Sequence, residues 1–212
     1  MILVLMGGPG AGKGTQSSFI KKALNLPMVS VGEILREMST HADHVAGVLR
    51  DTMGAGKLVP PDIVNSVVSD FLKQDEYKDG CIIDGYPRSL EQAEFLTANA
   101  TQKVVVVYFD TEEQILVNRL SGRFTCTTCG TIYNKYYTTL KLDGVCDNCG
   151  STSFSRRADD DSAIIINRIK EYKKLTMPLI EYYKKLGVFY SVNAGLKPSL
   201  VELELSDILK II

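Results

Sequence analysis

Five short apolar runs punctuate the chain, at 2–6, 27–29, 81–84, 104–109 and 188–192, rich in Val, Ile and Leu and without strict alternation of apolar and polar positions. Strands covered by helices on both faces carry this pattern, whereas a half-exposed strand alternates. Between them lie longer amphipathic stretches, which predict helices over 13–24, 31–39, 43–54, 61–73, 89–98, 112–121, 160–186 and 199–210. Strand and helix in turn predict βαβ units and a five-stranded parallel sheet flanked by helices, an α/β fold. Pro178 is expected to bend or interrupt the long stretch 160–186, because its ring blocks an internal hydrogen bond. From about 123 to 157 the helical period disappears into Thr, Tyr, Gly, Asp and Cys, and an insertion with short β-like pieces of its own is predicted there.

The first run ends in Gly7-Gly8-Pro9-Gly10-Ala11-Gly12-Lys13-Gly14-Thr15. A strand leading through a glycine-rich turn into a helix aims several backbone N–H groups at one point, and the helix dipole makes that point a phosphate site. Lys13 adds a charge for the outer phosphates. The general P-loop pattern places Ser or Thr directly after the Lys; here Gly14 holds that slot and Thr15 follows. Strand, glycines, lysine and hydroxyl together predict a nucleoside-triphosphate site.

Length and charge narrow the class. At 212 residues the chain can hold one well-cored domain with insertions. A formal net charge of −1 gives no footprint for nucleic acid or an anionic membrane. No apolar run approaches the ~20 residues of a membrane span. The first strand is reached without a basic leader or cleavage site, which predicts a cytoplasmic protein. With no exposed apolar stripe evident, a monomer is expected.

Four of the five cysteines form two C-x-x-C-G knuckles in the insertion, Cys126/Cys129 and Cys146/Cys149. In a reducing compartment this favours a metal over disulfides. Two knuckles complete a four-thiolate tetrahedral shell, the structural form of zinc, which substitutes for the core that so small a segment lacks. Cys81 is left over in a strand and is expected to be a small core residue.

Three more segments accompany the P-loop: Gly56-Lys57-Leu58-Val59-Pro60, Asp84-Gly85-Tyr86-Pro87-Arg88, and Arg157-Ala158-Asp159-Asp160 before a helix that carries Arg168. In this order they resemble the adenylate kinases, specifically the bacterial form with a long, metal-holding lid, over about residues 1–192. The resemblance implies a P-loop core (1–29, 60–122 and 158–212), a helical nucleoside-monophosphate-binding insertion (30–59) and a zinc-binding lid (123–157). It also implies magnesium-dependent phosphoryl transfer between ATP and AMP, giving two ADP.

By the same resemblance, Gly8, Gly10, Ala11, Gly12, Lys13, Gly14, Thr15, Arg119, Arg123, Ile132, Tyr133 and Lys197 fall at ATP positions. Val31, Arg36, Met53, Lys57, Leu58, Val59, Gly85, Arg88, Gln92, Arg157 and Arg168 fall at AMP positions, with Gln92 reading an adenine edge. Lys13, Arg88, Arg123, Arg157, Arg168 and Asp84 form the catalytic group, and Thr15 and Asp84 anchor magnesium, mostly through water. Asp159 and Asp160 orient arginines or cap the long helix, a cap is also the alternative for Asp84, and Arg50 and Arg156 have no role. The chemistry agrees with this placement, since phosphoryl transfer asks a protein to align two anions and neutralise charge.

One departure stands out. The family's usual Ser-Thr-Gly-Asp is Ser30-Val31-Gly32-Glu33 here, and Val31 has no hydroxyl for the acceptor base. Another monophosphate acceptor (UMP, CMP or GMP) is the nearest alternative. A zinc-ribbon module that senses ATP without transfer is the alternative from another class, and leaves six site arginines without purpose.

Overall fold

A computed structural model describes residues 1–212. Its main sheet holds five parallel strands: β1 (Ile2–Gly7), β2 (Met28–Ser30), β3 (Cys81–Asp84), β4 (Val104–Asp110) and, near the C-terminus, β8 (Phe189–Asn193), in the order β2-β3-β1-β4-β8. All four pairings are parallel, and Leu5 of β1 stands opposite Asp84 of β3. The pleat divides the apolar runs between two cores. Ile2, Val4, Met6, Ile83 and Val106 face one cluster, while Leu3, Leu5, Ile82, Val105 and Val107 face the other. Alternate residues therefore face opposite cores, although hydrophobicity along the strands does not alternate.

The helices are α1 (Lys13–Leu24), α2 (Val31–Met38), α3 (His44–Gly54), α4 (Pro61–Leu72), α5 (Leu90–Asn99), α6 (Glu113–Ser121), α7 (Ser162–Glu171), α8 (Leu179–Lys185) and α9 (Pro198–Leu209). Their starts are chemically marked. Pro61 and Pro198 occupy first-turn positions of α4 and α9, where a missing N–H costs nothing. Asp43, Ser89 and Asp161 accept first-turn N–H bonds at α3, α5 and α7. The stretch 160–186 is interrupted earlier than Pro178 alone would require. After α7 comes a π-turn, Tyr172–Thr176, closed by the Met177 N–H to the Tyr172 carbonyl at 3.0 Å.

The insertion is a three-stranded antiparallel sheet, ordered β6 (Ile132–Asn134), β5 (Arg123–Cys126), β7 (Phe154–Ser155). It has a small core of its own, built from Cys126, Tyr133 and Cys146 with Phe124, Leu140 and Phe154 around them. Phe124 stacks on Tyr133 at 5.6 Å between ring centroids. The segment 30–59 differs, because Val31, Leu35, Leu49 and Val59 join the main core cluster. No helix is long and apolar enough to cross a membrane.

Candidate functional site

The sheet order reverses around β1, which pairs with β3 on one side and β4 on the other, and open parallel sheets bind ligands outside the strand ends at such a point. There a cavity of about 740 Å³ is bounded by the loop 7–15, the segment 30–59, the β3–α5 loop, the insertion and the loop before α9. Gly10 and Gly12 have φ of +82° and +95°, left-handed values that suit glycine. A side chain on Gly8 would also lie 2.6 Å from Leu116 Cδ1. The N–H groups of Gly12, Lys13 and Gly14 donate to no backbone acceptor, so the first turn of α1 presents free donors. A Cβ on Gly14 would meet nothing within 4 Å, so the fold leaves that position open toward the cavity.

Lys13 folds back over this loop, donating from Nζ to the Gly7 and Gly8 carbonyls at 2.9 and 3.1 Å. Burial pulls its ammonium down to about 8; Asp84 opposes that, and Arg88, Arg168 and Arg123 add to it. A bound polyphosphate restores the charged form, so binding takes up a proton wherever free Lys13 is neutral. Affinity for a nucleoside triphosphate is therefore expected to stay level below pH 8 and to fall by up to tenfold per pH unit above it. Calorimetry at pH 8.5 in buffers of differing ionisation heat checks this. Uptake of about three-quarters of a proton is expected in the parent and none in Lys13→Met; equal uptake in both overturns the assignment.

Across the cavity, cations converge from four segments. A Cβ on Gly32 would lie 3.5 Å from Arg36 Nη1 and 3.6 Å from Arg88 Nη2, so both guanidiniums meet over the start of α2. Burial lowers Arg36 to about 10, aided by Arg157 and then resisted by Asp159 and Glu33. Arg88, Arg157 and Arg168 are likewise lowered, first by burial, with neighbouring arginines contributing to each. Arg123 grips Asp160 bidentately, Nε to Oδ2 and Nη2 to Oδ1, both at 2.7 Å. Arg168 Nη1 reaches Asp159 Oδ2 at 3.0 Å and Asp160 Oδ1 at 3.1 Å. The Asp160 side chain is fully enclosed. Lys13 and Arg36, Arg88, Arg123, Arg157 and Arg168 face four carboxylates, Glu33, Asp84, Asp159 and Asp160. Six cations against four anions around one cavity leave a demand for further negative charge.

Asp159 and Asp160 thus orient arginines, and the α7 cap is Asp161, whose Oδ1 accepts from Ala163 N–H at 3.0 Å. Asp84 caps nothing, since Ser89 serves α5. Instead Asp84 Oδ1 is buried without any hydrogen-bond partner, next to Lys13. An orphaned carboxylate oxygen facing a phosphate site fits a hard cation held through water, and Thr15, exposed on α1, carries a hydroxyl with no internal bond.

The four cysteine Sγ atoms lie within 4.8 Å of one another. Cys126–Cys149 and Cys129–Cys146 are 3.6 Å apart, near the ~3.8 Å edge of a tetrahedron with ~2.3 Å metal–sulfur bonds. Gly130 and Gly150 take φ of +73° and +74° with open space around them, so conformation, not crowding, calls for glycine. The arrangement fits one tetrahedral ion. Cys81 stays apart, buried in β3 with its thiol pushed up to about 11 by burial.

A family profile described as adenylate kinase matches residues 5–188. Curated proteins named "Adenylate kinase" from Rickettsia africae (strain ESF-5) and Rickettsia prowazekii (strain Madrid E) are 44% and 43% identical over 211 and 212 residues, covering all of both chains. That from Rickettsia bellii (strain RML369-C) is 39% identical, also over full length. The chain belongs to the adenylate kinase family.

It is accordingly a phosphotransferase, and the adenylate kinase site gathers most of the residues expected from sequence. Met53, Lys57, Leu58, Val59, Gly85, Ile132 and Lys197 all line the cavity. Val31, Tyr133 and Gln92 line the cavity as well, and part of each side chain also serves the fold. Val31 is 1% exposed and packs into the main core while lining the cavity, so it offers the wall an apolar surface. Tyr133 turns its hydroxyl to Cys146 Sγ at 3.3 Å and accepts from Asp147 N–H at 2.8 Å, supporting the cysteine cluster. Gln92 is buried, and its Oε1 already accepts from Arg88 N–H at 2.7 Å, so only half its amide remains for a base.

Two arginines without an expected role have structural ones. Arg50 Nη1 donates to the Ser39 and His41 carbonyls at 2.6 and 3.0 Å, holding the turn between α2 and α3. Arg156 Nη2 donates to the Ser121 carbonyl at 2.9 Å and the Asp160 carbonyl at 3.5 Å, bracing both chain crossings at the base of the insertion. Arg119 Nη1 donates to the Ala194 carbonyl at 2.8 Å, and its guanidinium lies 5.6 Å from the Tyr137 ring centroid. Tyr137 lines the cavity and had no sequence signal beyond being aromatic.

Proposed function

We propose that this adenylate kinase transfers the terminal phosphoryl of ATP to AMP, reversibly, between the P-loop and the Arg36–Arg88 pair. The observation behind this is the surplus of cations lining the cavity between the two. Free N–H donors of Gly12, Lys13 and Gly14 cradle the donor phosphates. Arg36 and Arg88 hold the acceptor phosphate, and Arg123, Arg157 and Arg168 neutralise charge on the group in flight. Asp159 and Asp160 hold Arg123 and Arg168 in place beforehand, so little reorganisation remains when nucleotides arrive. Arg119, tied to the Ala194 carbonyl, lies against the donor adenine, with Gly195–Lys197 beside it.

Asp84 and Thr15 would hold magnesium with the donor phosphates, where the ion supplies charge neutralisation. Cys126, Cys129, Cys146 and Cys149 would hold zinc, which supplies rigidity and no chemistry. The lid 123–157 has a separate core and serves as a rigid cover. The segment 30–59 shares the main core and closes by sliding on it. Both covers exclude water that would otherwise accept the phosphoryl group. The working unit is one chain in the cytoplasm.

A panel of AMP, GMP, CMP and UMP with ATP and magnesium tests the acceptor. AMP is expected to be phosphorylated fastest; any other monophosphate ahead of it overturns the assignment.

A further inference from the structure

Arg88 emerges from the β3–α5 loop, and loops do not fix a side chain unless something holds their backbone. Two local contacts contribute: Arg88 N–H donates to Gln92 Oε1, and Arg88 Nε donates to the Gly85 carbonyl, both at 2.7 Å. A third comes from 88 residues away, where Thr176 Oγ1 donates to the Arg88 carbonyl at 2.8 Å. We infer that Thr176 is a positioning residue for Arg88, carried there by the π-turn that follows Arg168. The inference rests on the reading of Arg88 as the acceptor-phosphate arginine.

Helical rotation explains why a π-turn is needed. At about 100° per residue, a position eight beyond Arg168 in an unbroken α-helix would lie about 80° around the cylinder. The wider turn Tyr172–Thr176 absorbs one residue, so Thr176 sits as though seven positions on, within about 20° of Arg168. Tyr172 anchors the start of that turn through its hydroxyl, 2.7 Å from the Tyr108 hydroxyl on β4. A helical Thr ordinarily returns its hydroxyl to its own preceding turn. Thr176 is 5% exposed and spends that bond on a separate segment instead. The segment Ser162–Thr176, α7 with its π-turn, thus carries Arg168 and grips Arg88, tying both arginines to one element.

Thr176→Val removes the hydroxyl at nearly constant shape. It is expected to lower kcat/KM for AMP on the order of tenfold, leave KM for ATP unchanged, and keep the melting temperature near the parent's. Thr176→Ser is expected to restore most of the loss. Added to Arg88→Ala, Thr176→Val is expected to cost nothing further, because its effect runs through Arg88. Parent-like AMP kinetics in Thr176→Val, or a full additional loss on the Arg88→Ala background, overturns the inference. If Arg88→Ala is itself harmless, the reading of Arg88 fails; if it is crippled while Thr176→Val is normal, only the role of Thr176 fails. Should the Val variant not fold, Thr176→Ala carries the same comparison.

Discussion

Arg88→Ala is expected to slow AMP phosphorylation by about 10²–10³-fold, equivalent to roughly 3–4 kcal/mol of transition-state stabilisation. The guanidinium lines the cavity beside other arginines, the residue is fixed at its N–H, its Nε and its carbonyl, and it shares the space over Gly32 with Arg36. A donor aligned in advance in a water-poor site contributes far more than one that must be ordered during reaction. Arg88→Lys keeps the charge but not the planar fork, so it is expected to recover only part of the loss. Steady-state kinetics with AMP varied at saturating ATP provides the measurement. The melting temperature should not fall, because the surrounding cations repel one another once Arg88 is charged and unliganded. An alanine variant with parent-like turnover would remove the basis of the mechanism.

Stripping the proposed zinc from the four cysteines is expected to lower the melting temperature by about 8–16 °C. The figure takes an ion bound a thousandfold tighter than its free concentration, about 4 kcal/mol, with about 2–4 °C per kcal/mol for a chain of this size. Without the ion, the lid keeps a cluster of three buried residues, two of them cysteines, and the aromatic trio Phe124, Tyr133 and Phe154. That is too little to hold three short strands. Hydrogen exchange should show 123–157 losing protection first, while β1, β3 and β4 stay protected. Calorimetry of the chelated protein that reproduces the parent's melting curve contradicts a structural ion. Loss of turnover at a temperature where the chelated lid remains fully protected would mean that the ion does more than stiffen.

Sequence and tertiary structure contributed different parts of this site. The five strands fall where the apolar runs placed them, and for β1, β3 and β4 the reason is burial on both faces, which requires apolar residues throughout. The P-loop was legible because its chemistry is local: strand, turn and helix start are consecutive residues. The two cysteine knuckles were legible for the same reason, each being a four-residue turn.

Longer-range partnerships were not legible. Arg123 and Asp160 are 37 residues apart, and Arg88 and Thr176 are 88 apart. Nothing in either local sequence says that they touch. Val31 and Tyr133 both line the cavity, and that one also packs into the core while the other gives its hydroxyl to Cys146 could not be read from either position. Arg156 looks like any surface arginine until both ends of the insertion lie beside it. The amino-acid sequence alone determined which segments become strands, which residues form the glycine-rich turn before α1 and which thiolates can share an ion, because each follows from neighbouring residues and backbone geometry. Only the folded chain decided which carboxylate steadies which arginine, which oxygen of Asp84 is left without a partner, and which helix holds Arg88, because those contacts exist only after distant segments have been packed against one another.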